Sequence, residues 1–238
     1  MEYSISAALS GIMCPWDGNP HSAPDQGVKE KFGRDLSPSD FDDIADYLIN
    51  HTILLIANRD AYMIRELEFY LYSSSHPDEY THRNVDQKEC GSLYFHKHAN
   101  GTYKSGTFKG MDITLGGDNQ HCGILIRGVR SMSGVGILDI DGPCNTVNHF
   151  LSHYGVSDLK TYLEKYGDPK TTMIQFKHCD RSHSQVLIKG PRVGLSSKFE
   201  EYLNKPYRYG IAGLKYKHKF PPSDPMGRGC LLYTSRCV

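Results

Sequence analysis

The stretch from Met63 to His82, MIRELEFYLYSSSHPDEYTH, constrains the fold more than any other part of this chain. Side chains alternate across an extended strand, which puts Ile64, Glu66, Glu68, Tyr70 and Tyr72 on one face. Met63, Arg65, Leu67, Phe69 and Leu71 then fall on the other, with Arg65 as the one polar exception. The apolar face packs on a core. The face with two carboxylates and two tyrosines is either the wall of a polar cleft or a strand surface facing water.

The flanking sequence supplies the other elements of such a sheet. Ser37 or Ser39 caps a helix, Pro38 suits its first turn, and FDDIADYLINHTILLIA lines up Phe41, Ile44, Ala45, Leu48 and Ile49 on one side. Ile53 to Ile56 reads as a strand, with Asn58-Arg59-Asp60 as the turn into the Met63 stretch. Downstream, SLYFHKH places Ser92, Tyr94, His96 and His98 on one face, and Asn100-Gly101 turns into a strand over Thr102–Phe108. MDITL and CGILIRGVRS follow as strands, the second with Leu125, Arg127 and Val129 sharing a face. NTVNHFLSHYGV reads as a short helix, TMIQF and SQVLIKG as strands, and PYRYGI closes the domain. The expected fold is α+β, a single domain with a curved, mostly antiparallel sheet and a few helices.

Length and composition fit one large domain: 238 residues, 39% hydrophobic. No apolar run is long enough for a bilayer and the first residues show no signal pattern, so the expectation is an intracellular, soluble protein without a membrane partner. Residues 1–35, rich in Gly, Pro and Ser around Trp16, read as an irregular arm, 36–219 as the folded domain and 220–238 as a tail. The ending CLLYTSRCV, 230–238, is what inverted copies of a transposon sequencing adapter encode, and it is set apart from the fold. That leaves five of the seven cysteines, without C-x-x-C spacing, which reads as reduced thiols.

Basic and acidic residues balance at 27 each, so no global field draws the protein to a polyanion. The local candidate is KPYRYGIAGLKYKHK, Lys205 to Lys219, where cations interleave with tyrosines as in a phosphate-binding, base-stacking surface or a solvated basic tail. Two histidine clusters, His76, Asp78, His82, His96 and His98, and His178, Cys179, Asp180 and His183, lack the H-x-x-x-H or paired-cysteine spacing of zinc ligands, so no metal is assigned to them. A nucleophilic pairing of Cys90 or Cys122 with histidine is not singled out by any spacing.

Several blocks in common order resemble the alkyladenine (3-methyladenine) DNA glycosylase family. Glu66-Leu67-Glu68-Phe69-Tyr70 with His82 is similar to that family's E-x-E-x-Y block and downstream histidine, and Gly91-Ser92-Leu93-Tyr94 to its G-[ST]-L-Y block. Gly110-Met111, Ile124-Leu125-Ile126-Arg127 and Gly142-Pro143 match later blocks, and Arg192-Val193-Gly194 and Lys205-Pro206-Tyr207-Arg208-Tyr209 match the last two. The similarity spans roughly 36 to 212.

The resemblance implies an N-glycosyl hydrolase of base-excision-repair type, which flips a modified purine or other base from DNA and cleaves it from the sugar by carboxylate-activated water attack, as a monomer without a cofactor. Glu68 is the implied carboxylate, and Arg127 holds the carboxylate, water or sugar phosphate. Tyr70 and His82 stack on the base, with Tyr94, His96 and Met111 in the pocket and Phe108 as the nearest wedge. Arg192, Lys205 and Arg208 position phosphates; the alternative for Arg192 and Arg208 is to tie the last strand to the core through carboxylates. This sequence departs from the family at His96, which stands where a tyrosine is usual, in the extra segment His98–Thr107, and in a longer SSSHPDEYT loop. These departures and the neutral charge point to an altered substrate: another modified base, a single-stranded nucleic acid or a free nucleoside. A non-catalytic modified-nucleotide or nucleic-acid binding module of the same fold is the alternative.

Overall fold

The computed structural model describes residues 35–132, 137–179 and 184–222. The N-terminal arm up to residue 34, glycines 134 and 136, Asp180 and His183, and the adapter-like ending lie outside the described residues. A 3-10 turn, Pro38–Asp40, leads into α1, Phe41–Asn50, and Asp40 closes the start by accepting the Ser37 N–H at 2.8 Å. The apolar stripe of α1 is buried as its spacing predicts, with Phe41 stacked on Phe69 at 4.2 Å.

Strand β1, Thr52–Ile56, turns through Ala57 and Asn58, both at positive φ, into the long β2, Asp60–Ser73. Then come β3, Cys90–Phe95, β4, Met111–Leu115, β5, Gln120–Ser131, and β6, Asp139–Asp141. Helices α2, Pro143–Ser152, α3, Leu159–Tyr166, and α4, Pro169–Thr172, precede β7, Ile174–His178, and β8, Leu187–Gly190. A short α5, Glu200–Leu203, and β9, Arg208–Ile211, complete the order. Among the described residues these nine strands form one open sheet with antiparallel pairings, and the domain is α+β. No helix among them is long and apolar enough to cross a membrane. The predicted strand over Thr102–Phe108 is absent. Gly101 makes the turn at φ +83°, but only a single bridge, Lys97 to Tyr103, follows it before a 3-10 turn at Gly106–Phe108.

The sheet is organised by β2 and β5, which run side by side from Tyr62 opposite Ser131 to Ser73 opposite Gln120. Each changes its outer partner midway: β2 from β1 to β9, and β5 from β4 to β6. At each change one residue has no counterpart in the β2–β5 ladder, Arg65 on β2 and Arg127 on β5. These are β-bulges, each of which inserts one residue, bends its strand and reverses which side chains face which way.

Both reversals correct the sequence reading. Ile64 does not share a face with Glu66; across the bulge it joins Leu67, Phe69 and Leu71 in the core. Val129 likewise leaves the face of Leu125 and Arg127 and packs with Ile124 and Ile126. The anomaly of Arg65 on an apolar face is resolved in the same way. Its side chain, 1% exposed, donates to Asp141 Oδ1 at 2.8 Å and to the Lys215 carbonyl at 2.5 Å, and lies over the Tyr216 ring. Replacing Arg65 with Met should cost about 3 kcal/mol in urea unfolding, the low end for breaking a buried pair, because Asp141 keeps 32% of its side chain in water.

Candidate active site

The face of β2 and β5 opposite the core begins with a charged floor. Glu66 Oε1 accepts from Arg127 Nε at 3.0 Å and from Arg208 Nε, on β9, at 2.6 Å. One step along β2, Glu68 Oε1 lies 3.3 Å from Arg127 Nη1 and accepts the Val193 N–H at 2.7 Å, while Oε2 accepts the Tyr70 hydroxyl at 2.9 Å. The bulge at Arg127 lets one guanidinium reach both carboxylates. Glu68 is wholly buried, and burial holds its carboxyl above the ordinary carboxylate range against the opposing pull of Arg127, the Val193 N–H and Tyr70. Burial alone would lower Arg127, but Glu68 and Glu66 overcome it and keep the guanidinium firmly charged. Tyr70, half-buried and beside Glu68, is held well above the usual phenol range by loss of water and by that carboxylate.

In front of Tyr70 lies a cavity of about 130 Å³, lined by Tyr80, His82, His96, Gln87, Asp112 and Leu125 as well as Tyr70 itself. Glu68 is behind this wall rather than in it. His96 Nε2 lies 2.9 Å from Asp112 Oδ1, and Asp112 Oδ2 accepts from Gln87 at 3.1 Å, so the carboxylate fixes both side chains. The His96 ring rests on Gly110, where an added Cβ would overlap it. His82 meets His96 edge-on at 4.5 Å. The residue is exposed, yet partial loss of water around the ring, with His96 alongside, holds it down to about 4, neutral at physiological pH.

Of the residues expected at the site, Glu68, Arg127, Tyr70, His82 and His96 come together here. Tyr94 stands behind His82, its hydroxyl 3.3 Å from Nδ1, and supports the pocket rather than lining it. Met111 is no pocket residue: on β4 it alternates with Asp112 and packs in the core. Phe108 is 72% exposed on the short turn just before Gly110.

The phosphate-positioning set is corrected more sharply. The Arg192 side chain is fully buried, bound to both oxygens of Asp78 and to the Phe69 carbonyl, with Tyr70 stacked on it at 4.6 Å. Arg208 is 1% exposed and committed to Glu66 and the His218 carbonyl. Neither faces a nucleic acid, and Lys205 is the exposed member of the three. The interleaved tyrosines also turn inward, Tyr207 and Tyr209 into the core and Tyr216 onto the Arg65 carbonyl, which leaves the lysines outside. Tyr80, Gln87 and Leu195 belong to the pocket but lie in loops and a 3-10 turn, without a period to place them.

The first histidine cluster does not gather. Asp78 is taken by Arg192, His76 packs on Tyr202, and His98 is exposed. Cys122 is buried, and burial pushes its thiol up, away from thiolate chemistry. One H-x-x-x-H spacing does occur outside both clusters, at His149 on α2 and His153 at its C-cap.

No family model matches the chain. Over 195 residues it is 38% identical to a protein of Acanthamoeba polyphaga mimivirus described as "Uncharacterized protein L759", in an alignment that takes in 74% of this chain and 88% of that one.

The pocket wall makes a direct structural prediction. Gly110→Ala should push His96 off Asp112, so that a crystal structure of the variant shows the 2.9 Å contact broken, at a cost of about 1–3 kcal/mol in urea unfolding from overpacking.

Proposed function

We propose that this chain, which belongs to one family with the mimivirus protein L759, is an N-glycosyl hydrolase that takes a modified base into the ring-lined pocket and cleaves it from its sugar. One observation carries this reading: Tyr70, the inner wall of the cavity, is hydrogen-bonded at 2.9 Å to a carboxylate that is itself paired with a buried arginine. Together with the motif resemblance, this is the arrangement expected of an altered alkyladenine-glycosylase-type enzyme.

The chemistry follows from the parts. A base in the cavity stacks against Tyr70, Tyr80 and the histidine rings, each such contact worth about 1–3 kcal/mol, which offsets the few kcal/mol of unpairing and unstacking. Gln87 and the His96–Asp112 pair offer its edge hydrogen-bonding groups, while neutral His82 adds no cation. As the glycosidic bond breaks, positive charge grows on the sugar, and a nearby carboxylate both orients water and stabilises that charge. Each oxygen of a carboxylate has two lone-pair directions. Oε2 of Glu68 is engaged by Tyr70, and because Glu68 is wholly buried its second direction takes the attacking water only once the Tyr70 ring turns aside. Arg127 and the Val193 N–H hold the other oxygen in place. The exposed Lys205, Lys215, Lys217 and Lys219 supply phosphate contacts, and exposed Phe108, two residues before the glycine under His96, is the proposed wedge.

A second reading rests on the complete burial of Glu68 and on Asp112 being the carboxylate that lines the cavity: a module that binds a modified nucleotide without cutting it. Glu68→Gln separates the two. The enzyme reading predicts loss of base release by about a thousandfold or more, read by chromatography of freed bases, with ligand binding within a few fold of wild type. Unchanged release in the variant would overturn the role of Glu68, and binding without release by the wild type would favour the module.

The pH profile gives a further check. A base must be ionised to act, so release falls as pH drops through the raised pKa of Glu68. The acid limb of single-turnover cleavage should therefore lie above about 4.3, the ordinary value for glutamate. It should stay there in His82→Gln, because His82 titrates at about 4.

A further inference from the structure

A separate polar cluster lies near the start of β2, on its core side and away from Glu68. Tyr62 reaches the end of α2, where His149 on the helix and His153 at its C-cap stand one helical turn apart. Tyr62 Oη is 2.8 Å from His149 Nε2 and 2.8 Å from His153 Nε2, and the two nitrogens are 3.4 Å apart. His153 Nδ1 is 3.0 Å from Asp60 Oδ2, which also accepts from Arg59 Nε at 3.0 Å. Without an ion these atoms form a consistent chain: His153 Nδ1–H donates to Asp60, Tyr62 O–H donates to His153 Nε2, and His149 Nε2–H donates to the Tyr62 oxygen.

The same atoms have the arrangement of metal ligands. Zinc–nitrogen bonds of about 2.0–2.1 Å at tetrahedral angles place neighbouring donors about 3.3–3.4 Å apart. The two imidazole nitrogens already have that separation, and the two contacts to Tyr62 need to open by about 0.5 Å. A ligating histidine usually donates its other ring N–H to a carboxylate that fixes its tautomer, as His153 does to Asp60. The His153 side chain is 14% exposed. Among the described residues no three His, Cys, Asp or Glu side chains group to hold a metal, and here the third donor is a phenol.

We propose that His149 Nε2, His153 Nε2 and Tyr62 Oη bind one divalent late first-row transition ion, Zn²⁺ or Cu²⁺, with water in the fourth position. The ion fastens the start of β2 to α2 and takes no part in the chemistry at Glu68. Binding displaces the phenol proton and moves the His149 proton from Nε2 to Nδ1, so one proton leaves per ion and affinity rises with pH.

The test uses the full chain without a tag, with Zn²⁺ alone, followed by calorimetry in buffers of different ionisation enthalpy and by thermal melting. The expected result is one ion and one released proton per chain, with a zinc-dependent rise in Tm. Asp60→Asn should weaken binding about 10- to 100-fold while the fold is kept, and His149→Gln with His153→Gln should abolish both binding and the rise. Zinc uptake equal in wild type and the folded double variant, or none in the wild type, overturns the proposal. Should the double variant not fold, the Cu²⁺-loaded wild type decides: nitrogen couplings from two imidazoles in its paramagnetic resonance spectrum support the site, and their absence refutes it.

Discussion

The fold and the proposed site both depend on burying charge in pairs, two of them built on arginines at the bulges of the central strands. Four arginines, Arg65, Arg127, Arg192 and Arg208, are buried beside four carboxylates, Asp141, Glu66 and Glu68, and Asp78. Taking any of these groups out of water costs several kcal/mol, which only close pairing and further hydrogen bonds offset. The bulges make the pairing possible. Each swaps the facing of the strand beyond it, so β2 and β5 keep an unbroken apolar side toward α1 and the core while an arginine reaches its carboxylates. The arginines are also straps: Arg65 holds the Lys215 carbonyl, Arg208 the His218 carbonyl, and Arg192 the Phe69 and Tyr202 carbonyls, which fixes the last segments to the sheet.

This array sets what Glu68 can do. A lone carboxylate in such a place would be protonated, whereas the adjoining Arg127 and the donors from Val193 and Tyr70 favour its ionised form and act against burial. The balance leaves a buried carboxyl held above the ordinary carboxylate range, behind a tyrosine that is part of the pocket wall. Arg192, stacked on that tyrosine and held by Asp78, positions the ring rather than any phosphate. The pocket in front is built from a different kind of contact, imidazole against imidazole, with Asp112 organising His96 and Gln87.

Much of this was legible in the sequence. The alternation in RELEFY placed Glu66, Glu68 and Tyr70 together, and the spacing around Phe41 and Ile44 placed α1. Ile64 and Val129 went to the wrong face because period-two reading has no means of counting an inserted residue, although an arginine on an apolar face was the trace of one. For Arg192 and Arg208 the choice between phosphate contacts and carboxylate ties stayed open in the sequence because their partners, Asp78 and Glu66, lie 114 and 142 positions away. Tyr80 and Gln87 were invisible for a simpler reason: loop residues reach a site through the path of the chain, which follows no repeat.

The central claim is that the ring-lined cavity receives a nucleobase and that the buried carboxylate behind it helps to free that base. Mass spectrometry of the small molecules released when the full chain is incubated with heavily alkylated and deaminated DNA, RNA and nucleosides tests this most directly. The expected products are one or more free modified bases absent from the protein-free control, with abasic sites left in the polymer when that is the substrate. No free base from any of these pools would contradict it.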